Sequence, residues 1–262
     1  MTIETKIIAD SINPDGKRIT TLQCRYPRFI HSQVMTHRMF SRNAQSSRAC
    51  PVDKMIEEVE KDPAIPIHWG ANQKGMQADE ECNNSVFMMG QDRKEAWLYA
   101  MGTAVVHARA FSQAGYHKQI VNRLLEPFMH ISVIITATEW DNFFNLRCHE
   151  DSQPEIQALA NSILENMTKS KPKELMWGEW HIPYSEEIES SVACAARVSY
   201  NNHDGSNRSL EKDIKLHDTL LESKHMSPFE HQAMAMRGQY ANLNGWRSYR
   251  MELENNGSRK TR

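Results

Sequence analysis

The chain has only five cysteines, Cys24, Cys50, Cys82, Cys148 and Cys194, an odd number with no C-x-x-C pair among them. That pattern argues against a disulfide scaffold and the usual structural zinc sites, and it fits a reducing compartment. No stretch approaches the roughly 18 consecutive apolar residues that a bilayer span needs. The opening MTIETKIIADSINPDGKR has no apolar core of the kind a secretory signal carries. These absences predict a cytoplasmic protein with no membrane partner. Positive charge is not in excess either: 31 Lys and Arg against 33 Asp and Glu leave a formal net charge of −2. A nucleic acid polymer as partner is not expected, because phosphate backbones select a clear cationic surplus. A local basic pocket for one small anion stays open. There is no internal repeat and no G-x-S-x-G elbow for a serine nucleophile.

What is present is an ordinary globular composition, 40% apolar and 24% charged over 262 residues, enough to bury a substantial core. Residues 18–25 (RITTLQCR) alternate as a strand does. Pro27 breaks it, and 29–40 read as a short helix carrying His37 and Arg38. The stretch 41–48 (SRNAQSSR) is too polar for core, and Pro51 suits the first turn of a helix over 51–61. Residues 62–84, with Pro63, Pro66, Gly70 and Gly75 around His68-Trp69, read as a long irregular loop. Loops of that length are usually functional or mobile. The clearest helix is 91–114, with Trp97, Ala100, Met101, Ala104, Val105, Ala108 and Phe111 in one stripe. Residues 131–137 (ISVIITA) are a buried strand or a buried helical segment. Ser152-Gln153-Pro154-Glu155 has capping-box spacing and opens a helix with Ile156, Leu159, Ile163 and Leu164 on one face. Residues 169–173 (KSKPK) read as a solvated linker. An apolar stretch at 192–200, a polar loop at 201–209 and a helix near 210–223 follow, and the tail 254–262 reads as disordered.

Three groups of side chains have chemical potential. Gln33, His37, Arg38, Ser41, Arg42, Asn43, Ser46 and Arg48 crowd cations, hydroxyls and amides into sixteen residues. Such a set grips phosphate, or it is simply a solvated charged loop. Asn142 and Arg147 follow the apolar run at 131–137, where a semi-buried Arg needs an anionic or carbonyl partner. A structural pairing with Glu139, Glu150 or Asp151 is the alternative. His225-x-Ser227-Pro228-Phe229-Glu230-His231, preceded by Ala195-Ala196-Arg197-Val198-Ser199, could cap a helix, contact a cofactor or bind a metal. Metal is the weakest of these, since no third ligand stands at a recognisable spacing.

Together these blocks resemble the flavin-dependent thymidylate synthase family. Its signature R-H-R-x-x-S-x-N-E-x-S-x-R is matched by residues 36–48, from Thr36-His37-Arg38 to Ser46-Ser47-Arg48. Its N-L-R block with a following A-Q-x-E-I helix is matched at Asn145-Leu146-Arg147 and Gln153-Pro154-Glu155-Ile156. Its A-A-R-V-S and S-P-F-E-H block is matched at 195–199 and 227–231, but comes last here where the family has it first. The order implies circular permutation, which a fold tolerates when its termini are neighbours at the surface.

The resemblance implies an α+β fold with a central, mostly antiparallel sheet flanked by helices. It implies one catalytic domain over 1–262: signature and N-L-R blocks in 1–168, a joint at 169–191 and the permuted block at 192–253. It implies FAD as cofactor, NADPH and methylenetetrahydrofolate as co-substrates, dUMP as acceptor, and a homotetramer with shared active sites. By motif position, Gln33, Ser46, Arg48, Arg123 and Arg147 resemble dUMP contacts. His37, Arg38, Asn43, Asn142, Ser227 and Glu230 resemble flavin contacts, and His225 lies near the flavin and folate positions. Arg147, His225 and Ser46 are the expected catalytic residues, with Arg147 polarising the uracil ring. Departures stand at Thr36, Ala44, Thr136 and Thr138, where the family has Arg, Glu, Asn and Arg. Arg42, Arg247 or Arg250 are candidates to replace the missing cations. Rival readings are a sister enzyme modifying pyrimidine nucleotides at C5 without making dTMP, and a nucleotide-binding homologue without FAD.

Overall fold

The structure of the protein, a computed structural model, describes residues 3–75, 77–86, 92–199 and 209–259. In chain order the first half forms β1 (Glu4–Ile12), β2 (Arg18–Pro27), α1 (His31–Met35), β3 (Ser41–Ala44), α2 (Val52–Lys61), α3 (Arg93–Gln113), α4 (Lys118–Val121) and β4 (His130–Ala137). The rest forms α5 (Asp141–Arg147), α6 (Pro154–Lys169), β5 (Lys173–Glu174), β6 (Trp180–His181), α7 (Ile188–Ala196), α8 (Leu210–Glu222), β7 (Ala233–Tyr240), β8 (Leu243–Ser248) and α9 (Tyr249–Arg259). The fold is α+β. One sheet has the order β3-β4-β2-β1-β5, and a smaller one has the order β6-β7-β8. The larger sheet is mixed: β1–β2, β2–β4 and β3–β4 are antiparallel, while β5 joins β1 in parallel over two residues. No described helix is long and apolar enough to cross a membrane.

Alternation along the two central strands decides what each face meets. Leu22, Cys24 and Tyr26 of β2, with Ile131, Val133, Ile135 and Ala137 of β4, pack against Ile156, Leu159, Ala160 and Ile163 of α6. The intervening Ile134 points the other way, onto Ala195 and Val198. The A-A-R-V-S stretch therefore covers the second face of the sheet. A separate cluster joins Met55, Ile56 and Val59 of α2 to Val105 and Ala108 of α3. β8 presses on the β1–β2 turn, where Trp246 Nε1 donates to Lys17 O (3.0 Å) and Asn13 Nδ2 donates to Gly245 O (2.9 Å). Gly245 has φ +79°, and a Cβ there would lie 2.6 Å from Asn13 Nδ2, so this approach requires glycine.

Several local expectations need correction. The helix expected over 29–40 is α-helical only from His31 to Met35. At its end the Arg42 guanidinium takes the carbonyls of Val34 (3.2 Å), Met35 (2.9 Å) and His37 (3.3 Å). The polar stretch 41–48 contributes strand β3, with Ser41 and Ser47 buried. Its polarity is tolerated because Ser41 Oγ bonds Asn242 Nδ2 (3.0 Å) and Ser47 Oγ donates to Glu126 (3.1 Å). No capping box forms at 152–155: Ser152 Oγ donates to Leu146 O (2.6 Å), and Gln153 is the N-cap residue. Leu164 is 40% exposed, and Ala160 and Met167 complete the buried face instead. On α3 the stripe is narrower than expected: Val105 and Ala108 are buried, whereas Ala100 is exposed. The linker at 169–173 is largely exposed, and further along the joint at 169–191 Leu175 and His181 are buried. The expected tail disorder gives way to α9, which runs to Arg259. Residues 201–208 of the polar loop, and 260–262, lie outside the described residues.

Candidate functional site

Arg147, the last residue of α5, lies against the α1 segment. Its Nε donates to His37 Nε2 (3.0 Å), Nη1 to Gln33 Oε1 (3.4 Å) and Nη2 to Thr36 Oγ1 (3.4 Å). His37 is 7% exposed, edge-on to Phe143 with ring centroids 4.9 Å apart, and beside Phe40. Burial, then the Arg147 and Arg42 cations, hold its imidazole down at about 4. It is thus neutral at pH 7 and free to accept at Nε2. Burial also lowers Arg147 from its ordinary value. Of the carboxylates considered as structural partners, Glu139 takes the Asn244 amide (3.2 Å) and Asp151 lies 3.4 Å from His149. Among the described residues no carboxylate neutralises Arg147. A half-buried guanidinium with only neutral partners retains its charge for an anion, or for negative charge developing on a ring.

Asn43 joins the first block to the last. Its Nδ2 donates to Ala195 O (2.6 Å), and its Oδ1 accepts from Ser227 Oγ (3.1 Å). Glu230 is ion-paired with Arg250 (2.6 Å), and Arg197 with Asp213 (2.5 Å). Arg123, 59% exposed, is 3.3 Å from Glu126, which also pairs with Arg28 (3.0 Å). Ser46 is half-buried on the turn after β3. Arg38, Arg48, Asn142 and His225 are exposed, and among the described residues their side chains form no hydrogen bond or ion pair. The structure thus brings Gln33, His37 and Arg147 together, and Asn43 with Ser227. It leaves four polar side chains facing solvent.

The candidate replacement cations are engaged within the chain: Arg42 caps α1, Arg247 pairs with Glu252 (2.9 Å), and Arg250 with Glu230 and Glu254. Thr138 Oγ1 accepts from Asn244 N (2.9 Å), a structural use of a position where the family has Arg. Arg38, Asn142 and His225, exposed and without a partner among the described residues, have the hydrogen-bond chemistry that could hold a flavin dinucleotide. The positions at Thr36 and Thr138 contribute no cation to this set.

The long segment 62–84 borders this site. A cavity of about 620 Å³ is lined by Phe29, Trp97, His68 and Gln77 on one side and by Gln153 and Glu155 on the other. Glu155, only 2% exposed, accepts from Ile67 N (2.7 Å) and from Gln153 Nε2 (2.9 Å). The Gln153 Oε1 in turn accepts from Gln33 Nε2.

Sequence reasoning missed a buried polar chain. It runs from Ser11 Oγ to His181 Nδ1 (2.9 Å), His181 Nε2 to Thr21 Oγ1 (2.8 Å), Thr21 to Thr136 (2.7 Å) and Thr136 to His231 Nδ1 (2.9 Å). The one signal available was that Thr21 and Thr136, once β2 and β4 pair, stand directly opposite each other. Burial pushes both histidines down to about 3. Unfolded histidines titrate near 6.5, so the unfolded chain binds the extra protons between pH 6.5 and 3. Stability contributed by these groups is full above that window and lost as pH falls through it. The expected result is a clearly lower urea midpoint at pH 5 than at pH 7. Equal midpoints would show that these histidines are not held neutral.

A family model described as thymidylate synthase complementing protein (Thy1) matches residues 19–173. That stretch holds the first two blocks and ends before the third. Among solved structures, the chain is similar to a UMP/dUMP methylase, PolB from Streptomyces cacaoi, bound with 5-Br UMP. The TM-score is 0.51 at 16% identity, covering 67% of this chain and 90% of that one. With the same methylase bound with 5-Br dUMP the TM-score is 0.49 at 15% identity, covering 67% and 91%. Among curated proteins there is no significant match. The matched residues are more than half of the sequence, and they contain Gln33, His37, Asn43 and Arg147 of the site just described; the chain belongs to the thymidylate synthase complementing protein family.

Proposed function

We propose that the chain is a flavin-dependent thymidylate synthase, transferring a one-carbon unit from methylenetetrahydrofolate to C5 of dUMP to give dTMP. The observation that carries this reading is Arg147: a half-buried cation with neutral partners only, at the family's N-L-R position. In this reading Arg147 binds the uracil ring and stabilises negative charge on it, while Gln33 supports the ring beside it. Ser46, Arg48 and Arg123 hold the nucleotide, with Arg48 and Arg123 directed to the phosphate. His37, Arg38, Asn43, Asn142, Ser227 and Glu230 hold FAD, and His225 sits between flavin and folate. Bound FAD, reduced by NADPH, would supply the reducing equivalents. The exposure of Arg38, Arg48, Asn142 and His225 in one chain suits a homotetramer whose subunits complete each other's sites in the cytoplasm.

Circular permutation accounts for the block order. Its support is the contact of β8 with the β1–β2 turn, which keeps the end of the third block beside the start of the first. A sister reaction, C5 modification of a pyrimidine nucleotide without dTMP as product, is favoured by Thr36, Ala44 and Thr138. The fold shared with a UMP/dUMP methylase is compatible with either.

Arg48→Ala tests the nucleotide assignment. Loss of one charge-assisted phosphate contact is expected to weaken dUMP binding ~10–100-fold. Calorimetric titration with dUMP measures it, and unaltered affinity would remove Arg48 from the site.

A further inference from the structure

We propose that Glu155 and Gln153 are positioning residues that fix Gln33 as a hydrogen-bond acceptor beside the Arg147 donors, and so select uracil over cytosine. The inference rests on the nucleotide reading above and adds to it how the base is chosen.

Glu155 is 2% exposed. A carboxylate accepts hydrogen bonds and donates none. One of its oxygens takes the Ile67 N–H of the 62–84 segment, and the other takes Gln153 Nε2. The Gln153 amide is thereby oriented with its NH₂ toward Glu155, leaving its Oε1 to accept from Gln33 Nε2. Gln33 must then turn its own Oε1 outward, where it meets Arg147 Nη1 (3.4 Å). Each amide has one donor end and one acceptor end, so the polarity set at Glu155 passes through two side chains. At the other end Arg147, which only donates, requires the same orientation.

The result is a donor and an acceptor side by side at the site. Uracil carries a matching edge, a ring carbonyl next to the N3–H. Cytosine presents its C2 carbonyl next to an unprotonated N3, and that N3 would face the Gln33 oxygen acceptor to acceptor. Sites that leave a buried polar group unpaired with the wrong ligand discriminate strongly. A glutamine at 155 offers a single acceptor where two donors converge, so the polarity imposed from this end is lost and only the longer Arg147 contact (3.4 Å) still favours it. A methionine at 153 removes the link while leaving Glu155 its contact with Ile67.

The test is isothermal titration of the full FAD-saturated chain with dUMP and with dCMP, for the parent, Glu155→Gln and Gln153→Met. The parent is expected to prefer dUMP by ~10-fold or more, and each variant to bring the two affinities within about 3-fold. Variants that keep the parent's dUMP-to-dCMP ratio would overturn the proposal. So would a parent that binds both nucleotides equally, which leaves the nucleotide reading intact. A parent that binds neither overturns the nucleotide reading itself. If Glu155→Gln does not fold, Gln153→Met decides, because it spares the buried carboxylate.

Discussion

Replacing Arg147 with alanine is expected to lower turnover of dUMP by at least ~10²–10³-fold while leaving flavin absorbance and folding close to those of the parent chain. The size follows from what the guanidinium does in this site. Its Nε and both terminal nitrogens are directed by His37, Gln33 and Thr36, so the cation is held in place before any ligand arrives. Such preorganised charge is worth most where it faces charge that develops during the reaction. The three partners are neutral, so removing the cation leaves no buried anion behind. His37 loses a donor but remains packed on Phe143 and Phe40. A steady-state assay following nucleotide product by chromatography checks the rate, and flavin absorbance checks the cofactor. Turnover within a few-fold of the parent would remove Arg147 from its assigned role.

Phe143→Ala is expected to cost about 3–5 kcal/mol, the ordinary range for deleting a buried aromatic ring. Phe143 is 2% exposed and sits among His37, Phe40, Trp140 and Phe144, with centroid separations of 4.9, 5.2, 6.2 and 5.6 Å. It is the ring through which α5 grips the α1 segment, so the cavity opens directly under the His37–Arg147 contact. For a chain of this size the melting temperature should fall on the order of 10 °C. Differential scanning calorimetry measures the change. A loss below about 1 kcal/mol would mean that the aromatic cluster does not hold the two segments together.

Much of this arrangement was legible in the residues. The β-branched run 131–137 is β4, and the stretches at 91–114 and 210–223 contain α3 and α8. Local period and composition suffice for α3 and α8, whereas at 131–137 pairing with β2 and β3 decides between the strand and the buried helical segment that the run alone allows. β3 was not legible, because its polar side chains are satisfied by Asn242, Ala195 and Ser227, all distant in sequence. β1, β7 and β8 went unread for a related reason: their pairing and burial depend on neighbours that no local pattern announces. The Ser152 cap failed because Leu146 O competes for the hydroxyl.

The site shows the same division. The blocks named Gln33, His37, Asn43, Arg147 and Ser227, and the fold brings His37 to Arg147 across 110 residues and Asn43 to Ser227 across 184. Glu139 and Asp151, read as possible partners of Arg147, are engaged elsewhere, a matter of tertiary geometry that sequence spacing does not contain. The roles of Glu155 and of the Thr21–Thr136 pair lie in hydrogen bonds between segments far apart in the chain.

The central claim is that this chain methylates dUMP at C5 with a flavin. The most direct measurement is to incubate the purified protein with dUMP, methylenetetrahydrofolate, FAD and NADPH, and to identify the nucleotide product by mass. The expected product is dTMP, formed only when FAD is present. Unchanged dUMP, or a C5-hydroxymethyl nucleotide in place of dTMP, would contradict it.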